Sequence, residues 1–140
     1  MLNLGQLHLS RCVVVSNIAS AGYSAGVLNL ATASIASSTF YGNFAMILGA
    51  GIGNVENFPG APTPHLTLTN STIVDNDTSG RGGGVYSDGV AILDGCTILR
   101  NRTGVYANQG SLLLRHTVVA QHSSEDVAGI LRIRLKIHDC

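Results

Sequence analysis

The 140-residue sequence has no tryptophan, only three prolines and three cysteines, and few charged residues. Charged side chains make up 11% of the chain, and eight basic residues balance eight acidic ones. A nucleic-acid-binding protein normally carries a basic excess or a basic stripe, so we expect no nucleic-acid partner. The cysteines form no CxxC pair, which argues against zinc or thioredoxin-like chemistry. We therefore predict no metal and no cofactor.

Long apolar runs are also missing. The longest, residues 44–52, is about half of the roughly 20 residues that a membrane-spanning helix needs. We also expect no signal peptide in this chain, because its start lacks a basic region followed by an apolar core and a cleavage site. Glycine is abundant instead, with 17 residues, and the mean hydropathy is +0.29. This composition is too apolar for a disordered chain and is typical of short strands joined by tight turns.

An internal repeat organises the sequence. Five segments align, at residues 7–17, 33–43, 66–76, 91–101 and 111–121. Two apolar columns result: Leu9, Ile35, Leu68, Leu93 and Leu113, and then Val14, Phe40, Ile73, Ile98 and Val118. A column of small residues lies between them: Cys12, Ser38, Ser71 and Cys96, with His116 as the exception. The last column is Asn17, Asn43, Asn76 and Asn101, with Gln121 in the final repeat.

A glycine followed by a branched aliphatic residue recurs between these segments, at Gly26, Gly51, Gly84, Gly104 and Gly129. The repeats are 20 to 26 residues long, except for an interval of 33 between Asn43 and Asn76. The excess falls in residues 54–64, which contain all three prolines and which we predict to be a long loop.

Alternation of period 2 within each segment indicates strands, and each repeat carries three short strand signals. This pattern predicts an all-β fold, a right-handed single-stranded parallel β-helix (a pectin-lyase-like solenoid) of about five coils over residues 1–130. Leucine-rich repeats and β-propellers fit the repeat less well. Stacked coils lie about 4.8 Å apart, so the five amide residues would form a hydrogen-bonded ladder. Residues 131–138 alternate apolar and basic side chains, and the segment 131–140 is either a C-terminal strand or a non-native tail.

The motif Leu-x-Leu-x-Asn-Ser-Thr-Ile-x-x-Asn at 66–76, followed by Gly-Gly-Gly-Val-Tyr at 82–86, resembles the right-handed β-helix repeats of bacterial polymorphic outer membrane and choice-of-anchor surface proteins. The stretches 116–121 and 126–129 are similar to the final coil of the second group. The resemblance implies an extracellular or cell-surface location and no enzymatic activity. It also implies that these residues are a fragment of a longer protein with further coils.

The acidic residues are the main candidates for a functional site. Asp75 and Arg100 fall in one column in adjacent coils, and Asp94 is close by in the repeat. Pectin-cleaving β-helix enzymes use clustered aspartates, but here no column stacks two aspartates. We therefore treat these three as weak surface polar candidates and expect a surface ion pair, with no catalytic residue.

These expectations favour a non-catalytic structural or adhesive module of a bacterial exported or surface protein, with carbohydrate or a host or cell-surface protein as partner. The alternative is a fragment of a pectate lyase- or polygalacturonase-like enzyme acting on acidic polysaccharide. A stack of coils also exposes strand edges at its ends, so we expect self-association there.

Overall fold

A computed structural model describes residues 1–129 and the backbone of residues 133–136. These residues form twenty short strands and no helix, and every strand pair is parallel. The strands stack in four sheets, with successive strands of a sheet contributed by successive coils. The fold is therefore a parallel β-helix, as the repeat predicts.

Sheets 1 and 2 have six strands each and extend over the whole length of the stack. Sheet 1 consists of β1 (Leu2–Asn3), β5 (Val27–Asn29), β9 (Ile52–Asn54), β13 (Val85–Ser87), β16 (Val105–Ala107) and β19 (Val127–Gly129). Sheet 2 consists of β2 (Gln6–Ser10), β6 (Thr32–Ala36), β10 (His65–Thr69), β14 (Val90–Asp94), β17 (Ser111–Arg115) and β20 (Ile133–Lys136).

The other two sheets are shorter. Sheet 3 consists of β3 (Val13–Val15), β7 (Thr39–Tyr41), β11 (Thr72–Val74), β15 (Thr97–Leu99) and β18 (Val118–Ala120). Sheet 4, which the three strand signals per repeat did not predict, consists of β4 (Ile18–Ala19), β8 (Phe44–Ala45) and β12 (Asp77–Thr78). Five coils thus carry strands of sheets 1, 2 and 3, and a sixth begins with β19 and β20.

Alternation along each strand builds the core. In β6, for example, Ala33 and Ile35 point inward and are fully buried, whereas Ser34 between them is partly exposed. Burial of one large aliphatic side chain contributes roughly 1.5–3 kcal/mol, so each coil adds to a continuous apolar column. The largest buried side chains are Phe40, Ile35, Ile52, Leu66, Leu68, Ile73, Leu93, Ile98 and Leu112.

Two turns in each coil use left-handed backbone conformations at a fixed position. Before sheet 3 the positive-φ residues are Arg11, Ser37, Asn70, Gly95 and His116, and after it they are Ser16, Gly42, Asp75, Arg100 and Gln121. Each set occupies one position of the repeat, in five successive coils. Both turns change the strand direction sharply. The left-handed conformation at each turn costs a non-glycine residue some free energy.

The alignment of the last repeat predicted from sequence is wrong by one residue. The structure pairs Leu93 with Leu114 and Ile98 with Val119, so Leu113 and Val118 are not the core positions. Leu112 and Leu114 are buried, and Leu113 points outward. The error arises because residues 112–114 are three consecutive leucines, in which alternation cannot distinguish the inner face from the outer.

The same shift changes two other columns. Thr117, not His116, occupies the small-residue column, and its hydroxyl accepts a hydrogen bond from the backbone N–H of Cys96 at 3.2 Å. Gly129 is not the fifth member of the glycine column, because Val105 pairs with Val127 and Gly129 pairs with Ala107. Asp126 therefore stands where the other coils have glycine.

The long loop lies between β9 and β10, within the predicted segment 54–64. Register places Val55 next to Leu30 and Pro64 next to Ala31, the two-residue link of the preceding coil. Residues 56–63 are therefore the insertion. In the segment 131–140, Ile133–Lys136 form β20, parallel to β17, and the other residues lie outside those that the structure describes.

Candidate functional site

A ladder of asparagines follows sheet 3. The side-chain amide of Asn17 donates to Oδ1 of Asn43 at 2.9 Å, Asn43 donates likewise to Asn76 at 2.8 Å, and Asn76 donates to Asn101 at 2.9 Å. Each receiving Oδ1 also accepts the backbone N–H of the donor residue, at 2.9 to 3.1 Å. Asn43, Asn76 and Asn101 are 1% exposed, so this ladder satisfies amides that would otherwise be buried without partners.

The ladder ends at His122 and not at Gln121. Gln121 takes the left-handed turn position of Arg100, while His122 Nδ1 accepts the backbone N–H of Asn101 at 3.0 Å. Nε2 of His122 is buried and has no hydrogen-bond partner among the described residues. The nearest acidic oxygen, Oδ1 of Asp126, is 3.9 Å away. The imidazole thus provides the acceptor that an asparagine amide provides in the earlier coils, but it does not provide the hydrogen bonds that the amide nitrogen donates there.

A second ladder, which our sequence analysis missed, runs along the end of sheet 1. Asn3 donates to Asn29 at 2.7 Å, Asn29 donates to Asn54 at 2.7 Å, and Asn54 donates to the hydroxyl of Ser87 at 2.9 Å. The signal was available in the sequence. Two positions after the branched aliphatic residue of the first three glycine pairs stand Asn29, Asn54 and Ser87.

Asp75 and Arg100 form a bidentate ion pair on the surface. Arg100 Nε donates to Oδ1 and its terminal nitrogen donates to Oδ2 of Asp75, both at 2.9 Å. The hydrogen bond and the charge of Asp75 raise the pKa of Arg100. Both carboxylate oxygens already accept hydrogen bonds, so Asp75 is poorly placed to take a proton from a substrate.

Asp94 lies apart from this pair. It ends β14, at the turn that precedes sheet 3, whereas Asp75 and Arg100 stand in the turn that follows sheet 3. Oδ1 of Asp94 lies 2.9 Å from Nδ1 of His116. The structure therefore does not bring the three predicted candidates together in one site.

An open groove of about 530 Å³ runs beside the Asp75–Arg100 pair. It extends along the last three coils to His122 and Ser123, with Arg102 and Asp77 in its wall. Its acidic side chains, Asp75 and Asp77, come from one coil and its basic side chains, Arg100 and Arg102, from the next, so the groove has no uniform charge that would select one class of ligand. Among the described residues, no group of three His, Cys, Asp or Glu side chains is arranged to hold a metal ion.

A more enclosed cleft of about 300 Å³ lies on the outer side of sheet 1, under the long loop. We call it the loop cleft. Its apolar wall comes from Leu28, Leu30, Leu48 and Val55. Two tyrosines, two carboxylates and one amide complete it: Tyr23, Tyr86, Glu56, Asp88 and Asn57. The insertion contributes Glu56, so this cleft exists in one part of the stack only.

Asp88 connects the loop cleft to the sheet. Its Oδ1 accepts hydrogen bonds from the Tyr86 hydroxyl at 2.8 Å and from Asn108 Nδ2 at 2.9 Å. Its Oδ2 accepts the backbone N–H of Glu56 at 3.4 Å. Burial raises the pKa of Tyr86, and the hydrogen bond to Asp88 raises it further, so Tyr86 stays protonated and continues to donate.

Tyr86 also belongs to a short aromatic stack on the outer face of sheet 1. Its ring is stacked on that of Tyr106, with centroids 5.8 Å apart and planes inclined by 2°. The guanidinium of Arg81 lies 5.0 Å from the Tyr106 ring centroid. In the preceding coil the equivalent residue is Gly53, where a Cβ would collide with the hydroxyl oxygen of Ser24. A side chain at this position would therefore displace the Ser24 hydroxyl.

The outer face of sheet 3 carries no charged side chain. We call this surface the threonine face. One column of this face has three threonines in its middle: Val13, Thr39, Thr72, Thr97 and Val118. The parallel column consists of Val15, Tyr41, Val74, Leu99 and Ala120. Val13, Val15, Tyr41 and Val118 are 46 to 71% exposed. An uncharged, partly apolar sheet face of this kind is a candidate contact surface.

No family model, curated protein or solved structure matches this chain. Among the described residues, no helix is both long and apolar enough to cross a membrane. The assignment of the fold therefore rests on the strand pairing and the ladders described above.

Proposed function

We propose that the chain is a non-catalytic structural or adhesive module of a bacterial exported or surface β-helix protein. The threonine face is the observation that carries this proposal. Its hydroxyl and apolar side chains repeat at the spacing of neighbouring strands, about 4.8 Å, on a rigid support. An extended partner such as a polysaccharide chain or a flat protein surface meets a threonine hydroxyl in three successive coils, beside an uncharged second column. This regularity favours contact over a wide area.

The pairing of Asp75 with Arg100 supports a role without catalysis. A general acid or base needs a carboxylate that can exchange a proton with the substrate, whereas both oxygens of Asp75 accept N–H bonds from Arg100. The repeat motifs at 66–76 and 82–86, which resemble those of bacterial surface proteins, support the proposed location at the cell surface or outside the cell.

A binding experiment with two matched variants tests the proposed adhesion. Thr72→Lys places a charge at the centre of the threonine face, and Thr67→Lys places the same charge on the outer face of sheet 2 in the same coil. The protein and both variants are passed over immobilised polysaccharides and host-cell glycoproteins, and retention is measured by surface plasmon resonance. We expect retention of the wild type and of Thr67→Lys on at least one surface, and about tenfold weaker binding of Thr72→Lys, a change of roughly 1.4 kcal/mol. No retention of the wild type, or equal loss in both variants, contradicts the proposal.

The enzyme alternative has its own test. The protein is incubated with polygalacturonate and calcium, and unsaturated products and reducing ends are measured. We expect neither. Product formation that Asp75→Asn abolishes would establish the alternative instead.

A further inference from the structure

We propose that the loop cleft binds a small organic cation, a primary amine with an apolar body. The proposal is independent of the adhesive function, because the cleft lies on the outer side of sheet 1 and the threonine face belongs to sheet 3. Its volume of about 300 Å³ is at the lower end of the range for small-molecule sites.

The apolar wall selects the body of the ligand. Leu28 and Leu30 come from one coil, and Val55 continues the column of Leu30 in the next coil. Leu48 also lines the cleft, and Val55 is 8% exposed. A hydrocarbon or aromatic body that enters the cleft removes this apolar surface and its own from water, which favours binding.

The carboxylates select the charge. Within residues 1–129, neither Glu56 nor Asp88 has a basic group within 4.0 Å, and the three ion pairs there involve other acidic residues. Among the described residues, the donors to Asp88 are all neutral, namely Tyr86, Asn108 and the backbone of Glu56. Glu56 Oε1 accepts the backbone N–H of Gly60 at 3.2 Å. Two negative charges beside an apolar wall attract a cation and repel an anion.

The aromatic side chains complete this selection. Tyr86 and the half-exposed Tyr23 both line the cleft. A cation near a tyrosine ring gains an additional electrostatic attraction from the negative face of the ring. An ammonium group can therefore bind between Glu56 and Asp88, with its apolar body against the leucines. An acidic sugar would place its carboxylate beside these two and is disfavoured here.

A series of three ligands of nearly equal size tests the charge. Isothermal titration calorimetry compares 2-phenylethylamine, 2-phenylethanol and 3-phenylpropionate, which are cationic, neutral and anionic. We expect the amine to bind at least about tenfold tighter than the alcohol, about 1.4 kcal/mol, and the carboxylate to bind weakest. The preference should decrease with added salt, because the carboxylates are partly exposed. Equal affinity for amine and alcohol, or no binding of the amine at millimolar concentration, overturns the proposal.

Two variants with the same chemical change test the location. Glu56→Gln removes a charge from the cleft, and Glu125→Gln removes one from an exposed position in the last coil, away from the cleft. We expect Glu56→Gln to lose most of the preference for the amine and Glu125→Gln to retain it. Equal effects of the two variants would place the binding elsewhere and contradict the proposal. The ligand series requires no variant, so it remains decisive if Glu56→Gln perturbs the loop.

Discussion

An asparagine in the ladder after sheet 3 uses both ends of its amide. Asn76 donates to the carbonyl oxygens of Phe40 and Val74 as well as to Asn101, and its Oδ1 accepts two hydrogen bonds from Asn43. No aliphatic side chain of similar size can replace these contacts. The position is therefore restricted by the hydrogen-bonding needs of the turn, in addition to its burial.

We predict that Asn76→Ala destabilises the protein by about 2–4 kcal/mol, because several buried polar groups lose their partners at once. Urea unfolding measures the change. Asn17→Ala is the matched control, since Asn17 occupies the same column but is exposed, and water can replace its bonds. The control should cost less than about 1 kcal/mol. Equal costs at the two positions would show that the ladder does not stabilise the buried coils.

We also predict that His122→Asn stabilises the protein by about 1 kcal/mol. Asparagine can keep the acceptor for the backbone N–H of Asn101, and it replaces the buried Nε2 that has no partner among the described residues. His122→Ala removes the acceptor and should destabilise. The expected order of thermal midpoints is Asn above His above Ala. A His122→Asn midpoint below that of the wild type would contradict this account of the ladder end.

At the scale of elements, the coil can accept an insertion because its strands are aligned by their neighbours. Val55 and Pro64 stand beside Leu30 and Ala31, so the strands on both sides of residues 56–63 keep their register. The backbone carbonyl of Pro64 accepts N–H bonds from Val90 and from the Asn54 side chain, which holds the end of the loop. The inserted residues add the loop cleft without changing the stack.

We predict that deletion of residues 56–63, which joins Val55 to Pro64, leaves the fold intact. The new link has the length of the Leu30–Ala31 link, and loop length alone changes stability by only about 1 kcal/mol. The far-ultraviolet circular dichroism spectrum and the urea midpoint should remain close to those of the wild type. The deletion should also abolish binding of 2-phenylethylamine. A loss of the β-sheet spectrum would show that the loop is required for folding.

At the scale of the whole molecule, the first coil exposes both strand edges and apolar side chains. β1, β2, β3 and β4 are edge strands of their sheets. Leu2, Leu4, Val13 and Ile18 are 58 to 75% exposed. Unpaired backbone groups beside exposed aliphatic side chains are a template for association with another chain.

We therefore predict that the chain self-associates through this coil. Sedimentation velocity across a concentration series should show a reversible increase in mean mass. Val13→Lys, which places a charge at the edge, should shift the protein towards monomer. Thr72→Lys is the control, because Thr72 lies in the same column on the central strand of sheet 3, away from both edges. A wild-type monomer at every concentration would contradict the prediction.

The sequence by itself determined the class of fold, because stacked strands require like residues in each column and this requirement is visible as a repeat. It also identified four of the ladder residues and the place of the long loop. The contact of Asp75 with Arg100 was predictable for the same reason, since adjacent coils bring one column together.

Tertiary structure decided the rest. Three consecutive leucines at 112–114 fit either face of the strand, and only the pairing with β14 fixed which of them are buried. That pairing moved the end of the ladder from Gln121 to His122. The loop cleft was not predictable either, because it joins Leu30 and Asp88 from two coils to Glu56 of the irregular loop between them. Repetition makes contacts within a column readable from sequence, whereas contacts between an insertion and the sheet beneath it follow from the path of the backbone.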